Sequence, residues 1–437
     1  MTIAIVVLSL LLLVLLITWG KLNPFIAFLI VSIVAGVALG IPLNKITLSI
    51  QKGVGDMLGS LTIIIIMGAM LGKLVAESGA AQKIVSVLMN AFGKKYMQLA
   101  LMVTGFIIGV PLFYNVGFVL MVPIIFSVVY KYKLPAVYIG LPMLAALSVT
   151  HGFLPPHPSP AALVLQFGAH MGITMLYGII IAIPTILLAG PLFSQTLKNI
   201  PSAPLKTFVN TDLPEEQLPG ASNSFISALL PVLLIALSNV WVLGVDQDSA
   251  LTSFLLFIAE PSIIMLLALL IATYTLGVRI GKSVKQVMET YAQAAKDIVM
   301  ILLIIAGAGA LKQVLADSNV SGEIAAALQG LHLEPLVLGW LIAAVIRVCI
   351  GSATVAGLTA GSLVVPLLAS GDINPNLMVL SIGAGSLMFS HVNDPGFWMF
   401  KEYFNVSIND TIRSWSVMET IVAVAGLAGV LVLNVFV

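Results

Sequence analysis

The sequence predicts an all-α polytopic membrane protein built from two inverted repeats. Of its 437 residues, 60% are hydrophobic and 8% are charged, and a soluble protein of this length does not bury that much apolar surface. Several apolar runs exceed the roughly 18 residues that a helix needs to cross a bilayer. Two of these runs, which include residues 61–89 and 301–329, read as versions of one segment.

The similarity between the two halves includes polar residues. Glu77-Ser78 aligns with Asp317-Ser318, and the same offset places Thr150-His151 on Ser390-His391. Chance similarity between apolar segments is not expected to align polar residues in two separate places at one offset. A membrane protein made of two related halves, each with a polar break deep in apolar sequence, is typical of the secondary transporters.

We assign five crossings, a re-entrant hairpin and a broken helix to each half. A polar linker at 195–224, which contains several prolines, separates a first repeat at 1–194 from a second at 225–437. Because five is an odd number of crossings, the second repeat enters from the opposite side of the membrane. The predicted crossings are 3–20, 23–41, 60–77, 136–150 and 172–194, then 226–245, 252–277, 297–316, 376–390 and 414–436. Segments 44–57 and 281–296 mix apolar and polar residues, so we expect interfacial helices there.

The hairpins are predicted at 99–131 and 338–370. Their apolar sequence is interrupted by VPLFYNVG (110–117) and by GSATVAG (351–357). Each arm has only about 13–15 residues, which at about 1.5 Å per residue is short for a crossing. We therefore expect both tips near the membrane midplane, where irregular backbone is tolerated only if protein or a wet cavity satisfies its polar groups.

The broken helices are predicted at 136–165 and 376–400. The first contains LPPHPSP (154–160), and the second contains SHVNDPG (390–396). Proline cannot continue a helix, so a new helix begins after each break. Helix N-termini favour anions through their unpaired N–H groups and the helix dipole. We therefore expect a carboxylate site near Pro160 and Pro395.

The distribution of basic residues predicts that both termini lie outside the cytoplasm, because cytoplasmic loops are rich in lysine and arginine. In that orientation only Lys45, Lys52 and Lys312 face outward. The basic residues then placed on the cytoplasmic side are Lys21, Lys73, Lys83, Lys94, Lys95, Lys131, Lys133, Lys198, Lys206, Arg279, Lys282, Lys285, Lys296, Lys401 and Arg413.

Several classes of function are excluded by composition and motif. The formal net charge is +1, so nothing indicates a nucleic-acid partner, and the single cysteine, Cys349, rules out an internal disulfide. The sequence contains no HExxH, G-x-S-x-G or Walker A motif and no cysteine–histidine cluster. We therefore expect neither an enzyme nor a bound metal or cofactor.

Ionisable residues at membrane depth are functional candidates because they are expensive to keep there. Asp394 is the only carboxylate that we place inside a core break. It is a candidate proton carrier, and it also suits the cap of a helix that starts at Pro395; the two roles are compatible. We expect His391, beside it, to bind substrate or relay protons. His151 suits either substrate binding or a bond to a free carbonyl of the broken helix.

The remaining candidates lie at the hairpin tips and beside Asp394. Asn115, Ser352 and Thr354, with Tyr114 and Asn393, carry hydroxyls and amides that can both donate to and accept from a polyol. The alternative is that they satisfy hairpin backbone. Arg347 is a candidate partner for a substrate carboxylate, or it pairs with a scaffold carbonyl or extends to the interface.

At these residues the chain resembles the gluconate permease (gluconate:proton symporter) family. The similarity runs nearly end to end. The motifs that carry it are GAMLGKL…SGAAQKI (68–84), ALSVTHGFLPPHPSP (146–160), KQVLADS (312–318), GSATVAGLTAG (351–361) and SHVNDPGFWMFKEYFN (390–405).

The resemblance implies a bacterial inner-membrane importer of sugar acids that is driven by protons, with an elevator-like movement and a homodimeric assembly. Gluconate and idonate members carry SHVNDPGFW, which this chain keeps, whereas D-serine-type members depart from it. Family members often have an acidic residue where this chain has Asn115. We therefore expect a gluconate symporter, with idonate, D-serine or glycerate as alternative substrates. A membrane-embedded enzyme or a channel is the alternative class.

Overall fold

A computed structural model describes residues 2–437, except for 111–113, 156, 206–212, 243–249, 321, 324–332 and 369–372. The described residues form helices joined by turns and short irregular segments, and no strand occurs among them. Seven helices in this part of the chain are long and apolar enough to cross a membrane. The all-α, multi-pass class that the composition predicted is therefore confirmed.

The described residues of the first half form eight α-helices. They are α1 (Thr2–Thr18), α2 (Pro24–Ala38), α3 (Leu43–Glu77), α4 (Ala80–Gly109), α5 (Tyr114–Tyr132), α6 (Ala136–Phe153), α7 (Pro158–Gln166) and α8 (Met171–Leu187).

Nine further helices follow in the described part of the second half. They are α9 (Ala221–Val242), α10 (Ala250–Ala259), α11 (Pro261–Thr275), α12 (Val284–Asp317), α13 (Pro335–Ile350), α14 (Ala353–Leu368), α15 (Pro375–Gly385), α16 (Pro395–Phe404) and α17 (Ile408–Leu433). A π-helical turn at Ile412–Ser416 interrupts α17. The crossing expected at 252–277 is two helices, because Pro261 starts a new helix after Glu260.

The interfacial segments expected at 44–57 and 281–296 are not separate helices. Each continues into the crossing that follows it, which makes α3 35 residues long and α12 34 residues long. The two long helices pack on each other where both carry glycine. A Cβ on Gly53 would lie 2.3 Å from the carbonyl oxygen of Gly309. Only glycine allows backbones to approach this closely.

The ends of α3 and α12 match each other. α3 ends at Glu77 and α12 at Asp317, and a capping serine follows each. The next residues, Gly79 and Asn319, both have positive φ, at 78° and 55°. These matching ends support the internal repeat. Its inverted orientation and the domain boundaries stay predictions.

The predicted hairpins are two pairs of packed helices, α4 with α5 and α13 with α14. α13 and α14 have 16 residues each, or roughly 24 Å of helix, which is less than the roughly 30 Å of a hydrocarbon core. Gly351 makes the turn between them with a φ of 75°. Part of the first tip, at 111–113, and the end of the second hairpin lie outside the described residues.

The segments predicted as broken helices are helix pairs, α6 with α7 and α15 with α16, and each break contacts the hairpin before it. The Nε2 atom of His157 lies 2.8 Å from the carbonyl oxygen of Gly109, at the end of α4. In the second half, Nε2 of His391 lies 2.8 Å from the carbonyl oxygen of Val348, near the end of α13. The last carbonyls of a helix lack partners within it, so these contacts satisfy otherwise unpaired groups.

Candidate functional site

Elements from both halves surround a cavity of about 650 Å³. The hairpin tips, both breaks, α3, α12, α17 and the α10–α11 junction all contribute to its wall. Of the residues that the sequence singled out, those that line the cavity are Tyr114, Asn115, His151, Arg347, Ser352, Thr354 and Asp394. The cavity therefore brings together residues from both hairpin tips and both breaks.

Arg347, in the last turn of α13, forms a buried ion pair with Asp394. Its Nη2 atom contacts Oδ2 of the carboxylate. Its Nε and Nη1 atoms are buried and have no hydrogen-bond partner among the described residues. The side chain therefore neither extends to the interface nor pairs with a carbonyl. It is held by one nitrogen and leaves two donors for another acceptor.

Asp394 has a partner for each carboxylate oxygen. Oδ1 accepts a 2.9 Å bond from the backbone N–H of Gly396 and so caps α16. Oδ2 accepts from Ser390 as well as from Arg347. The Ser390 hydroxyl in turn accepts from the indole N–H of Trp415 at 2.7 Å. The N-terminus near Pro395, where we expected a substrate carboxylate, is thus already occupied by the protein's own carboxylate.

His391 and Asn393 point away from the cavity. His391 contacts the carbonyl of Val348, and the Asn393 amide donates to the carbonyls of Val348 and Cys349 at 2.8 and 3.1 Å. We expected both side chains to face substrate. Both side chains instead contact carbonyl oxygens near the end of α13. These carbonyls lack partners within the helix, so they accept the hydrogen bonds that a substrate would otherwise accept.

The opposite wall carries an aromatic group with polar atoms. The ring of Tyr114 lies 5.7 Å from that of Trp415 and 6.4 Å from that of His151. The Tyr114 hydroxyl and Nδ1 of His151 are buried, and the described residues offer neither of them a hydrogen bond. These atoms are available to a polar ligand.

The hairpin tips bring the first turns of α5 and α14 to the cavity. Asn115 lies in the first turn of α5, and Thr354 in the first turn of α14. The Ser352 hydroxyl accepts a long, 3.4 Å bond from the N–H of Val355. Ser352 therefore has the backbone-capping role that we considered as the alternative, while its side chain still lines the cavity.

Three charged residues of this cavity were not predicted from the sequence: Glu419, Lys312 and Glu260. Glu419, in α17, is 2% exposed, and its Oε1 accepts a 2.6 Å bond from Ser148. Lys312, which we expected to face the outer side, belongs to α12 and lines the cavity. The available signal for Glu419 was an acidic residue inside a predicted crossing. We had restricted the search to the breaks.

Comparison with known proteins gives the family. The profile described as "GntP family permease" matches residues 1–436. The chain belongs to the GntP family of permeases. It is 47% identical over 435 residues to a high-affinity gluconate transporter of Escherichia coli (strain K12), and the match covers 99% of each chain. A gluconate permease of Bacillus subtilis (strain 168) is 44% identical over 450 residues, with full coverage of both.

A second Escherichia coli relative, the Gnt-II system L-idonate transporter, is 45% identical over 415 residues, which is 95% of this chain and 94% of the relative. Among solved structures, the YdaH transporter of Alcanivorax borkumensis has 15% identity and a TM-score of 0.45, with 94% of this chain and 98% of that chain covered. The family match, the relatives named as transporters and the seven candidate spans of the described residues make this GntP permease a multi-pass membrane permease and not an enzyme.

Proposed function

We propose that this GntP permease imports gluconate or a closely related sugar acid. The observation that carries the proposal is Arg347, whose Nε and Nη1 donors are buried beside the cavity without a protein acceptor. Each of these N–H groups can donate a charge-assisted bond to a carboxylate, and such bonds are roughly twice as strong as neutral ones. A sugar acid supplies that carboxylate. Two of the relatives above are named for gluconate.

The rest of the cavity suits a polyol chain. Its volume of about 650 Å³ falls within the roughly 300–1,000 Å³ of small-molecule sites. Asn115 and Thr354 contribute an amide and a hydroxyl from the hairpin tips, and the Tyr114 hydroxyl in the same lining has no partner in the described chain. Groups that donate and accept can follow the alternating needs of sugar hydroxyls.

We further propose that the import is a proton symport with alternating access. A proton gradient can drive the accumulation of an anion if the protein binds the proton and the anion in the same transport cycle. The proton-coupling role that the sequence suggested for Asp394 stays a prediction. Its position supports an additional role, because the carboxylate holds Arg347 in place through Nη2.

The experiment is uptake of labelled gluconate into proteoliposomes under a pH gradient, and then under a sodium gradient. We expect uphill, saturable uptake with the pH gradient alone. Uptake driven only by sodium would refute proton coupling, and non-saturable equilibration without accumulation would indicate a channel. An absence of gluconate uptake under either gradient would refute the substrate assignment.

L-Idonate is a second candidate substrate, because a relative at 45% identity is named for it. The competing compounds to test against labelled gluconate are L-idonate, D-serine and glycerate. A competitor that inhibits at lower concentration than gluconate itself is the better substrate. Asn115, which lines the cavity at the tip of the first hairpin, would then be the first residue to exchange.

A homodimer and an elevator-like movement are also part of this proposal, on the strength of the family resemblance. Native mass spectrometry of the purified protein measures the oligomer directly. A monomer that transports gluconate at full rate would refute the dimer as a requirement.

A further inference from the structure

We propose that Glu419 binds the proton that enters with the substrate. This inference deepens the proposed function and rests on it, since it names the protonation site of the symport. The starting observation is a carboxylate that lines the same cavity as Arg347, on a different helix. No other role in the site accounts for it.

The surroundings of Glu419 fix the position of its side chain but stabilise its ionised form poorly. Oε1 accepts one bond from the Ser148 hydroxyl at 2.6 Å. Oε2 is buried, and no described residue donates to it. A buried carboxylate with one neutral donor is costly to keep charged, because it has lost its water without gaining a cation or a second donor. A proton on Oε2 removes that charge.

Asp394, in the same cavity, has the opposite surroundings. It has a cation, a hydroxyl and a backbone N–H as partners. These partners favour the charged form, and together with Arg347 the residue makes a locally neutral pair. Glu419 is therefore the buried carboxylate of this cavity that gains most from binding a proton, because its negative charge has few partners. A proton on Asp394 would instead weaken its ion pair with Arg347.

The groups that act on Glu419 come from several elements. The charges of Arg347, on α13, and Asp394, at the start of α16, both reach it. Tyr114, on α5, also interacts electrostatically with Glu419. The same cavity is lined by His151, on α6, Lys312, on α12, and Glu260, before α11. The other helices that pack against α17 are α8 and α15; α15 carries no titratable side chain, and α8 carries only Tyr177. Arg413, in the π-helical turn, is exposed and lies near Asp410.

Substrate binding is linked to this proton through charge. With Asp394 paired to Arg347, a sugar-acid anion and an ionised Glu419 would be two negative charges in one cavity of low dielectric. Like charges in such a site disfavour each other, so the anion binds best when Glu419 is neutral. By reciprocity, bound anion strengthens proton binding. The proton comes from water on the entry side to Oε2 and returns to water on the exit side, so the only bond that forms and breaks is O–H.

The linkage can be tested on the unmodified protein. Calorimetric titration with gluconate in buffers of different ionisation enthalpy counts the protons taken up per gluconate bound. We expect proton uptake above the titration range of Glu419, where gluconate affinity falls by up to tenfold for each pH unit of increase. Binding that takes up no proton at any pH between 5 and 9 would overturn the proposal, whether or not any variant folds.

Glu419→Gln then assigns the site, because glutamine keeps the shape and the bond from Ser148. We expect its gluconate affinity to lose most of its pH dependence, exchange of gluconate across the membrane to persist, and accumulation under a pH gradient to disappear. Glu216→Gln, at an exposed glutamate of the loop before α9, is the matched control and is expected to behave as the unmodified protein does.

Two results with Glu419→Gln would overturn the assignment. One is accumulation under a pH gradient at the unmodified level. The other is a pH dependence that survives in Glu419→Gln and disappears in Asp394→Asn, which would place the proton on Asp394. These outcomes differ from failure of the proposed function, because that failure appears in the unmodified protein as an absence of gluconate transport.

Discussion

Arg347 combines two properties that rarely coexist in a buried side chain: an ion pair, and donors left without acceptors. Lysine in its place keeps the charge but presents a single ammonium group in place of a planar fork. We expect Arg347→Lys to lose one charge-assisted bond to the substrate, worth roughly 1.5–3 kcal/mol. Gluconate affinity should then fall roughly 10- to 100-fold, as measured by concentration dependence of uptake.

Arg413→Lys is the matched control, since the Arg413 side chain is 68% exposed. We expect it to leave uptake unchanged. If Arg347→Lys binds gluconate as tightly as the control does, the carboxylate lies elsewhere in the cavity, and Lys312 becomes the next cation to exchange.

The variant Asp394→Asn tests whether Asp394 serves to hold Arg347 in place, as distinct from carrying the proton. Asparagine can still cap Gly396, but Arg347 is left as a buried charge without a counterion, which typically costs roughly 3–5 kcal/mol. We expect a lower melting temperature in detergent, and a larger rise of that temperature on addition of gluconate than in the unmodified protein, because the anion replaces the lost carboxylate. An unchanged melting temperature would contradict the ion pair as a stabilising contact.

At the residue scale, the sequence located the breaks but not every charge beside them. Asp394 was predictable because it stands directly before a proline in a conspicuous polar run. Glu419 and Ser148 touch each other across 271 positions of the chain, and only the packing of α17 against α6 brings them together. His391 is the opposite case. Its position beside Asp394 in the sequence suggested contact with substrate, whereas in the structure its ring contacts the carbonyl of Val348.

At the element scale, the turn of the second hairpin depends on Gly351. Its φ of 75° costs other residues roughly 1–2 kcal/mol, and a Cβ there would lie 2.3 Å from the backbone oxygen of Asn393. We expect Gly351→Ala to lower the melting temperature and to reduce gluconate uptake, because Ser352 and Thr354 would move with the tip. Thermal unfolding and uptake measure both effects.

The control for that variant is Gly55→Ala. Gly55 lies within α3, and a Cβ there would meet nothing within 4 Å. Alanine is favoured over glycine in a helix by about 1 kcal/mol, so a neutral or stabilising effect is expected. Equal destabilisation by both substitutions would show that the positive φ of Gly351 does not cause the loss of stability.

The long helices α3 and α12 show that the pattern of polar and apolar residues does not locate every helix boundary. The polar residues of 44–57 and 281–296 suggested separate interfacial helices, yet α3 and α12 run through without a break. Helical hydrogen bonds depend on the backbone, so polar side chains do not end a helix when a neighbouring helix or a cavity accommodates them. Lys312 is such a case, since it lies within α12 and faces the cavity.

At the scale of the whole molecule, composition alone determined the class, whereas the site depends on how the two halves meet. The hairpin and break motifs predicted which segments converge, and the cavity contains residues from all four. What the sequence could not supply is the rotation of each helix about its axis. That rotation decides that Arg347 faces the cavity while His391, near it in space, faces α13.

The orientation of the molecule in the membrane is open to a direct test. Lys282 contacts Glu77, and Lys83 contacts Glu215, so predicted cytoplasmic lysines gather where α3 ends and α12 begins. Lys52 lies towards the other ends of these helices, near Gln313. Because basic residues favour the cytoplasmic side, this separation supports both termini being outside. The native Cys349 is buried, so single exposed cysteines can be labelled without removing it.

We expect Ile3→Cys and Phe436→Cys to react with a membrane-impermeant maleimide in intact bacterial cells. Both native side chains are exposed. Lys131→Cys, at an exposed position of the predicted cytoplasmic side, should react only after lysis. The reverse pattern would invert the whole assignment, and with it the direction from which substrate reaches Arg347. Labelling of one terminus alone would require an odd total number of crossings, whereas two repeats of five crossings give an even total.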